Sequence, residues 1–137
     1  MGQKAYFIWT VQYNMLFMVI TMLYKNEFRY LAPSGKEIPI ASANTFKSRL
    51  LGLMGRKNGV YGLLIVPCNS IHTFFMRYTL DAVYLDADNS IVAIKRFIKP
   101  FKITLPVHGA VKVLEFPSCL NATAFLKEGV RINFYSA

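Results

Sequence analysis

Cysteine is scarce in this chain of 137 residues: Cys68 and Cys119 are the only two. Two cysteines cannot build a disulfide framework, which needs more of them at regular spacing. No CxxC occurs, which excludes a zinc ribbon and a thioredoxin-type motif. A single bridge would fit an oxidising compartment, but the expectation is two reduced thiols in a bacterial-style cytosolic protein. Acids are also few, 7 against 16 basic residues, for a net charge of +9. That excess suits anionic partners or surfaces such as nucleic acid, anionic lipid or phosphorylated ligands, and it suits equally a merely basic, soluble surface. No βαβ rhythm is visible, which argues against a parallel sheet. Internal repeats and low-complexity tracts are missing as well.

What the chain does have is apolar weight. Hydrophobic residues make up 54% and aromatics 15%, which excludes disorder. The length suits one domain with its own core. Residues 5–24, AYFIWTVQYNMLFMVITMLY, carry no charge. Twenty residues in a helix would just cross a hydrocarbon core. Gln12 and Asn14 lie mid-segment, and its aromatics are spread rather than gathered at the ends, which weakens a membrane reading. No small-residue cleavage site follows, which weakens a signal-peptide reading. A third reading is an extension upstream of the true start, with Met15 or Met22 as initiator. The expected organisation is a hydrophobic segment 1–24 and one domain over 25–137. The expected location is cytoplasmic, with membrane anchoring through 5–24 as the alternative.

Short elements follow. EFRYLAPSGKEIPIA reads as two strands around Pro33-Ser34-Gly35. NTFKSRLLGLMGR has helical spacing, with Phe46, Leu50 and Leu53 on one face, Ser42 or Asn44 able to cap it, and Gly52 or Gly55 able to end it. GVYGLLIVP predicts a buried strand, and IHTFFM a second. DAVYLDADNSIVAIKRF is the clearest hairpin, turning at residues 86–90. Asp86, Asp88 and Ser90 imitate a calcium loop, but Ile91 and Phe97 occupy the positions where an EF-hand needs Gly and Glu. AVKVLEF predicts a strand. SCLNATAFLKEG predicts a second short helix, with Ser118 as N-cap and Gly129 as stop. VRINF closes the sheet. The fold class expected is α+β: a small, mostly antiparallel β-barrel or sandwich of about eight strands, with two short helices.

The polar residues within apolar runs are the site candidates. Asp81 and Glu115 are costly to bury unless paired. Arg77 or Arg49 is the natural partner, because guanidinium grips carboxylate bidentately. In an extended run Cys68, Ser70 and His72 point to one side, so Cys68 and His72 could form a thiolate–imidazolium pair. No third orienting group is visible. Cys68, His72 and either His108 or Cys119 match no zinc template, so no metal is assigned. KRFIKPFKITLP, residues 95–106, interleaves Lys95, Arg96, Lys99 and Lys102 with Phe97 and Phe101. It could hold phosphates and stack bases, but no nucleic-acid motif surrounds it, so the preferred reading is a solvated loop and nucleic acid is not the expected partner.

GLMGR (52–56), GLLIVP (62–67), HTFFMRYTLDAVYLD (72–86) and VLEFP (113–117), in that order, are similar to the family called domain of unknown function 192. The likeness covers roughly residues 40–134. Its pattern falls on Arg49, Gly52, Leu53 and Met54, on His72, Thr73, Met76 and Arg77, then on Asp81, and last on Leu114 and Glu115. It implies a compact β-rich domain of no established activity. Three departures stand out. Asn89-Ser90 replaces the usual turn glycine. Ser118-Cys119 replaces a small residue and Gly. Gly129-Val130 replaces Gly-Asp.

Two function classes follow. The first is a non-enzymatic binding or accessory domain with a pocket lined by Arg49, His72, Met76, Arg77 and Asp81, taking an anionic small molecule, with Glu115 in a structural polar network. The second is a small enzyme with Cys68 as nucleophile and His72 as base, acting on an acyl or thiol substrate. A membrane-tethered accessory protein using residues 5–24 is the third possibility. No cofactor is implied, and no partner protein is named by the residues.

Overall fold

A computed structural model describes residues 26–43 and 61–136. Among the described residues seven strands form one sheet: β1 (Asn26–Leu31), β2 (Glu37–Ala43), β3 (Gly62–Ile65), β4 (Leu80–Leu85), β5 (Ile91–Ile98), β6 (Lys112–Pro117) and β7 (Tyr135–Ser136). Their order across the sheet is β5-β4-β6-β3-β2-β1-β7. β2 and β3 run parallel. The other neighbours pair antiparallel.

The two expected hairpins are present, and each turns on the chemistry read from its residues. Gly35 closes β1 to β2 at φ 82°. In the β4–β5 turn the Asp86 carboxylate accepts the backbone N–H of Asp88 and of Ser90, both at 2.9 Å. Asn89 takes φ 63° there, a conformation asparagine tolerates at small cost.

Core packs on both faces of the sheet. On face one Val83, Leu85, Leu114 and Phe116 join Tyr30, Ile38 and Ile40, roofed by Ala122, Leu126, Ile132 and Phe134 from the C-terminal segment. The sheet curls around this core. Three strand spacings of about 4.8 Å would hold β1 roughly 14 Å from β6 if the sheet were flat. Yet the Tyr30 and Phe116 rings lie 5.4 Å apart, and the Tyr30 hydroxyl donates to the Ala122 carbonyl at 3.0 Å. On face two Ala82, Tyr84 and Val113 pack under a two-stranded ribbon made of residues 69–73 and 102–107. Leu63, Ile65, Met76 and Leu80 form a second cluster on that side.

The expected barrel or sandwich with two helices is therefore corrected. The sheet is open, with β5 and β7 as its edges. The reason is in the strands themselves. β3 and β4 are buried at every position, so both of their sides need cover. A closed barrel would turn one of those sides to water. The described residues contain no α-helix. The helix expected at 118–129 is a single 3-10 turn, Ser118–Leu120. Ser118 does not cap it: its hydroxyl is taken by Asp81. Asn121 and Phe125 stand at φ 51° and 64°, which breaks helical continuation. The other expected helix lies outside the described residues. IHTFFM is not a strand either. Its one bridge pairs His72 with Ile103, and the chain then reverses, with Met76 N–H donating to the Thr73 carbonyl at 3.3 Å. VRINF contributes a bridge from Arg131 to Ser90 and no strand. The sheet closes on Tyr135–Ser136 instead.

Candidate functional site

Leu80, which opens β4, pairs with Ile98 at the end of β5 and with Pro117 at the end of β6. The loop before β4 and the loops after β5 and β6 therefore share one end of the sheet. Most of the exposed apolar side chains of the described residues gather on these three loops.

Asp81 organises two of them. The register passes from Leu80↔Ile98 to Ala82↔Lys95, so Asp81 stands opposite both Arg96 and Phe97. This is a β-bulge, which strands use to re-aim a side chain. The bulged Phe97 has φ 56°. Its N–H donates to Asp81 Oδ1 at 3.0 Å. Ser118 Oγ donates to the same oxygen at 2.7 Å, and Thr123 Oγ1 donates to Oδ2 at 2.8 Å. Arg96 stands behind Thr123, its Nε donating to that hydroxyl at 3.1 Å and its Nη2 to the Thr123 and Leu126 carbonyls at 2.9 and 3.1 Å. Three uncharged donors thus hold a carboxylate that is 3% exposed. Arg77, one expected partner of Asp81, is exposed.

Thr73 joins the loop before β4 to the loop after β5. Its hydroxyl donates to the Lys99 carbonyl at 2.7 Å and accepts the Lys102 N–H at 2.9 Å. Its backbone carbonyl accepts the Phe101 N–H at 2.9 Å.

The rings these anchors leave outside are ordered by the backbone. Phe75, Phe97 and Phe101 have φ of 59°, 56° and 60° and exposures of 64%, 68% and 62%. Positive φ is unusual for a bulky residue and persists only where the surroundings impose it. Phe125 is a fourth, at φ 64°, in the turn whose carbonyls receive Arg96. Phe101 lies 5.9 Å from Phe75 and 6.4 Å from Phe74. His72 stacks on Phe74 at 5.3 Å, and its Nδ1 accepts the Phe74 N–H at 3.3 Å. Ile103, which bridges to His72, and Leu105, farther along the same loop, are exposed as well. Arg77, Lys99 and Lys102 are exposed on the same loops. Neither 72–80 nor 95–106 contains an acid.

The expected pocket residues do not converge. His72 and Arg77 stand on this rim. Met76 is buried among Leu63, Ile65 and Leu80. Asp81 lies on face one, beneath the rim. Arg49 falls outside the described residues. Glu115 is on face two, its cross-strand partners being Leu63 and Ala82. Burial pushes the Glu115 carboxyl up to about 8. Tyr84 shares that face. Its hydroxyl donates to Thr104 Oγ1 at 2.8 Å and is raised mainly by burial, with smaller raising effects from nearby Cys68 and Glu115. The Cys68 thiol donates to the Ser70 carbonyl at 3.0 Å. Among the described residues no three His, Cys, Asp or Glu side chains are grouped to hold a metal ion.

Ser118, Thr123, Thr73 and Arg96 are the anchors that sequence reasoning missed in this role. Ser118 looks like a helix cap, and Thr123 carries no signal at all. Thr73 was marked only by its place in the family pattern, and Arg96 only as one of several basic residues.

A family model described as an uncharacterised ACR, domain of unknown function 192, matches residues 29–134. A UPF0127 protein of Thermococcus sibiricus is 37% identical over 81 residues, covering 55% of this chain and 52% of that one, so the match spans about half of the relative. A UPF0127 protein of Pyrococcus horikoshii is 29% identical over 116 residues, covering 81% of this chain and 97% of its own. Among solved structures, a protein of unknown function from Novosphingobium aromaticivorans superposes with a TM-score of 0.63 at 22% identity, covering 78% of this chain and 83% of that one. That likeness concerns the fold alone.

Proposed function

The chain belongs to the domain of unknown function 192 family, whose description assigns no reaction, and we propose that it is a non-enzymatic binding or accessory domain that takes an anionic ligand on the aromatic, basic rim. The observation that carries this reading is the rim's construction. The buried Asp81 and Thr73 spend their hydrogen bonds on fixing three loops, and the product of that fixing is a set of outward rings beside Arg77, Lys99 and Lys102 with no acid among them. A backbone strained at four phenylalanines suits recognition, where ordering the surface beforehand lowers the cost of binding. His72 and Arg77 keep their expected part in ligand contact. Asp81 supports from beneath.

Thermal unfolding of the full chain with inorganic polyphosphate tests the reading. A ligand at 100 times its dissociation constant adds about 2.7 kcal/mol. The expected result is a raised melting temperature that falls back in high salt and is lost in Lys99→Ala with Lys102→Ala. A rise that the double variant keeps would remove the rim from the account, and no rise would exclude a polyanion free in water as its ligand.

A further inference from the structure

Resting on that reading of the rim, we propose that the anion it takes is the surface of an anionic lipid bilayer, with Phe75, Phe97 and Phe101 entering the headgroup boundary and Arg77, Lys99 and Lys102 meeting the lipid charges. Three observations favour a bilayer over a polyanion free in water. The exposed set includes the aliphatic Ile103 and Leu105, which offer no face for a base or a sugar to stack on. Phe74 and Phe75 are inclined to Phe101 by 55° and 68°, so the rings do not make the parallel shelf on which successive bases stack. Insertion into the headgroup and acyl boundary needs no such alignment. It needs apolar side chains that protrude and cations beside them.

The third observation lies in the sequence. Residues 5–24 carry no charge over a length that would cross a hydrocarbon core in helix. One apolar contact with a bilayer is weak, and stable attachment takes two signals. The rim supplies a basic, aromatic contact, and the uncharged stretch 5–24, although Gln12 and Asn14 weaken it as a span, is long enough to supply the other.

The test needs a reporter on the rim, since residues 5–24 could carry the chain to vesicles unaided. The chain has one tryptophan, Trp9. Full-length protein carrying Trp9→Phe and Phe101→Trp reports from the rim alone. It is mixed with phosphatidylcholine vesicles, with and without phosphatidylglycerol, whose acyl chains are brominated. The expected result is a blue shift and quenching that require phosphatidylglycerol and weaken with salt. Adding Lys99→Ala and Lys102→Ala should lower the apparent vesicle affinity read at this reporter about fivefold per lysine, the equivalent of about 1 kcal/mol each.

Several results would overturn the proposal. If the protein pellets with vesicles while the reporter stays unquenched, residues 5–24 act alone and the rim faces water. If the rim binds polyphosphate or an oligothymidylate and ignores vesicles, the bilayer is the wrong anion while the binding reading stands. A blue shift that grows with protein concentration in the absence of lipid would assign the rim to a second copy of the chain. If neither polyphosphate nor vesicles engage it, both readings fall.

Discussion

Asp81 and Glu115 are each 3% exposed and sit on neighbouring strands, one register step apart. They are held differently because they face opposite sides of the sheet. Asp81 points to face one at the loop-bearing end, where Phe97 N–H, Ser118 and Thr123 reach it. Glu115 points to face two between Leu63 and Ala82, where desolvation dominates and its carboxyl is raised to about 8. The first acid is kept by its donors and in return holds loops. The second is kept by holding its proton. Burial alone therefore says little about what an acid does in a fold; its donors decide.

The largest effect should come from breaking the first arrangement. Asp81→Ala strands two hydroxyls and the bulge N–H at once. Hydrogen bonds to a charged group are worth about 1.5–3 kcal/mol each, with losses that do not add, so about 4 kcal/mol is expected in urea unfolding. Amide exchange should quicken at Phe97 and along 118–126 well before the β2–β3 pairs respond. Unchanged exchange there would mean that Asp81 does not hold the loops.

Glu115→Gln sharpens the other half of the comparison through pH. Below about pH 4.5 the carboxyl is protonated in folded and unfolded chains alike, and its full contribution is present. Between there and about pH 8 the unfolded chain ionises first, so stability falls by about 1.4 kcal/mol per pH unit and then levels off. The variant should flatten that slope and be the more stable protein by about 3 kcal/mol at pH 7. Parallel urea midpoints from pH 5 to pH 9 would show it, and a wild-type profile without that fall would contradict the account of Glu115.

The smallest change tests the packing beneath Asp81's side of the sheet. A Cβ added at Gly62 would stand 2.7 Å from Ile40 Cδ1 and 2.7 Å from Phe116 Cε1. Gly62→Ala should cost about 2 kcal/mol, the usual scale for overpacking. A neutral result would mean that face one yields more readily than its buried rings suggest.

Much of the local structure was legible in the residues. Turn chemistry at Gly35 and Asn89 predicted both hairpins, because positive φ and Asx bonding are properties of single side chains. The continuous apolar run of β3 predicted its burial, whereas β4, read as an alternating hairpin strand, is buried on both sides. What they could not reveal is which face each residue serves. Asp81 and Glu115 look alike as acids within apolar strands, and only the register separates them. The segment 118–129 shows the same limit. Ser118 is a sound helix cap in isolation, but a buried carboxylate from a residue 37 positions earlier competes for its hydroxyl and wins. Of the candidate site, 95–106 could be flagged as basic and aromatic, but the residues alone put His72 and Arg77 in a pocket lining with Asp81, not on an exposed rim. Their meeting could not be foreseen, since it depends on Thr73 bonding Lys99 and Lys102 across the gap between two loops.

The sequence by itself determined a β-rich, basic protein, its turns and its family, because composition, alternation and turn residues act over a few neighbours. Tertiary structure alone decided that the sheet stays open, that its two buried acids part company, and that the phenylalanines of three loops stand outward at one end. Those outcomes rest on bonds between residues tens of positions apart, and no local pattern carries them.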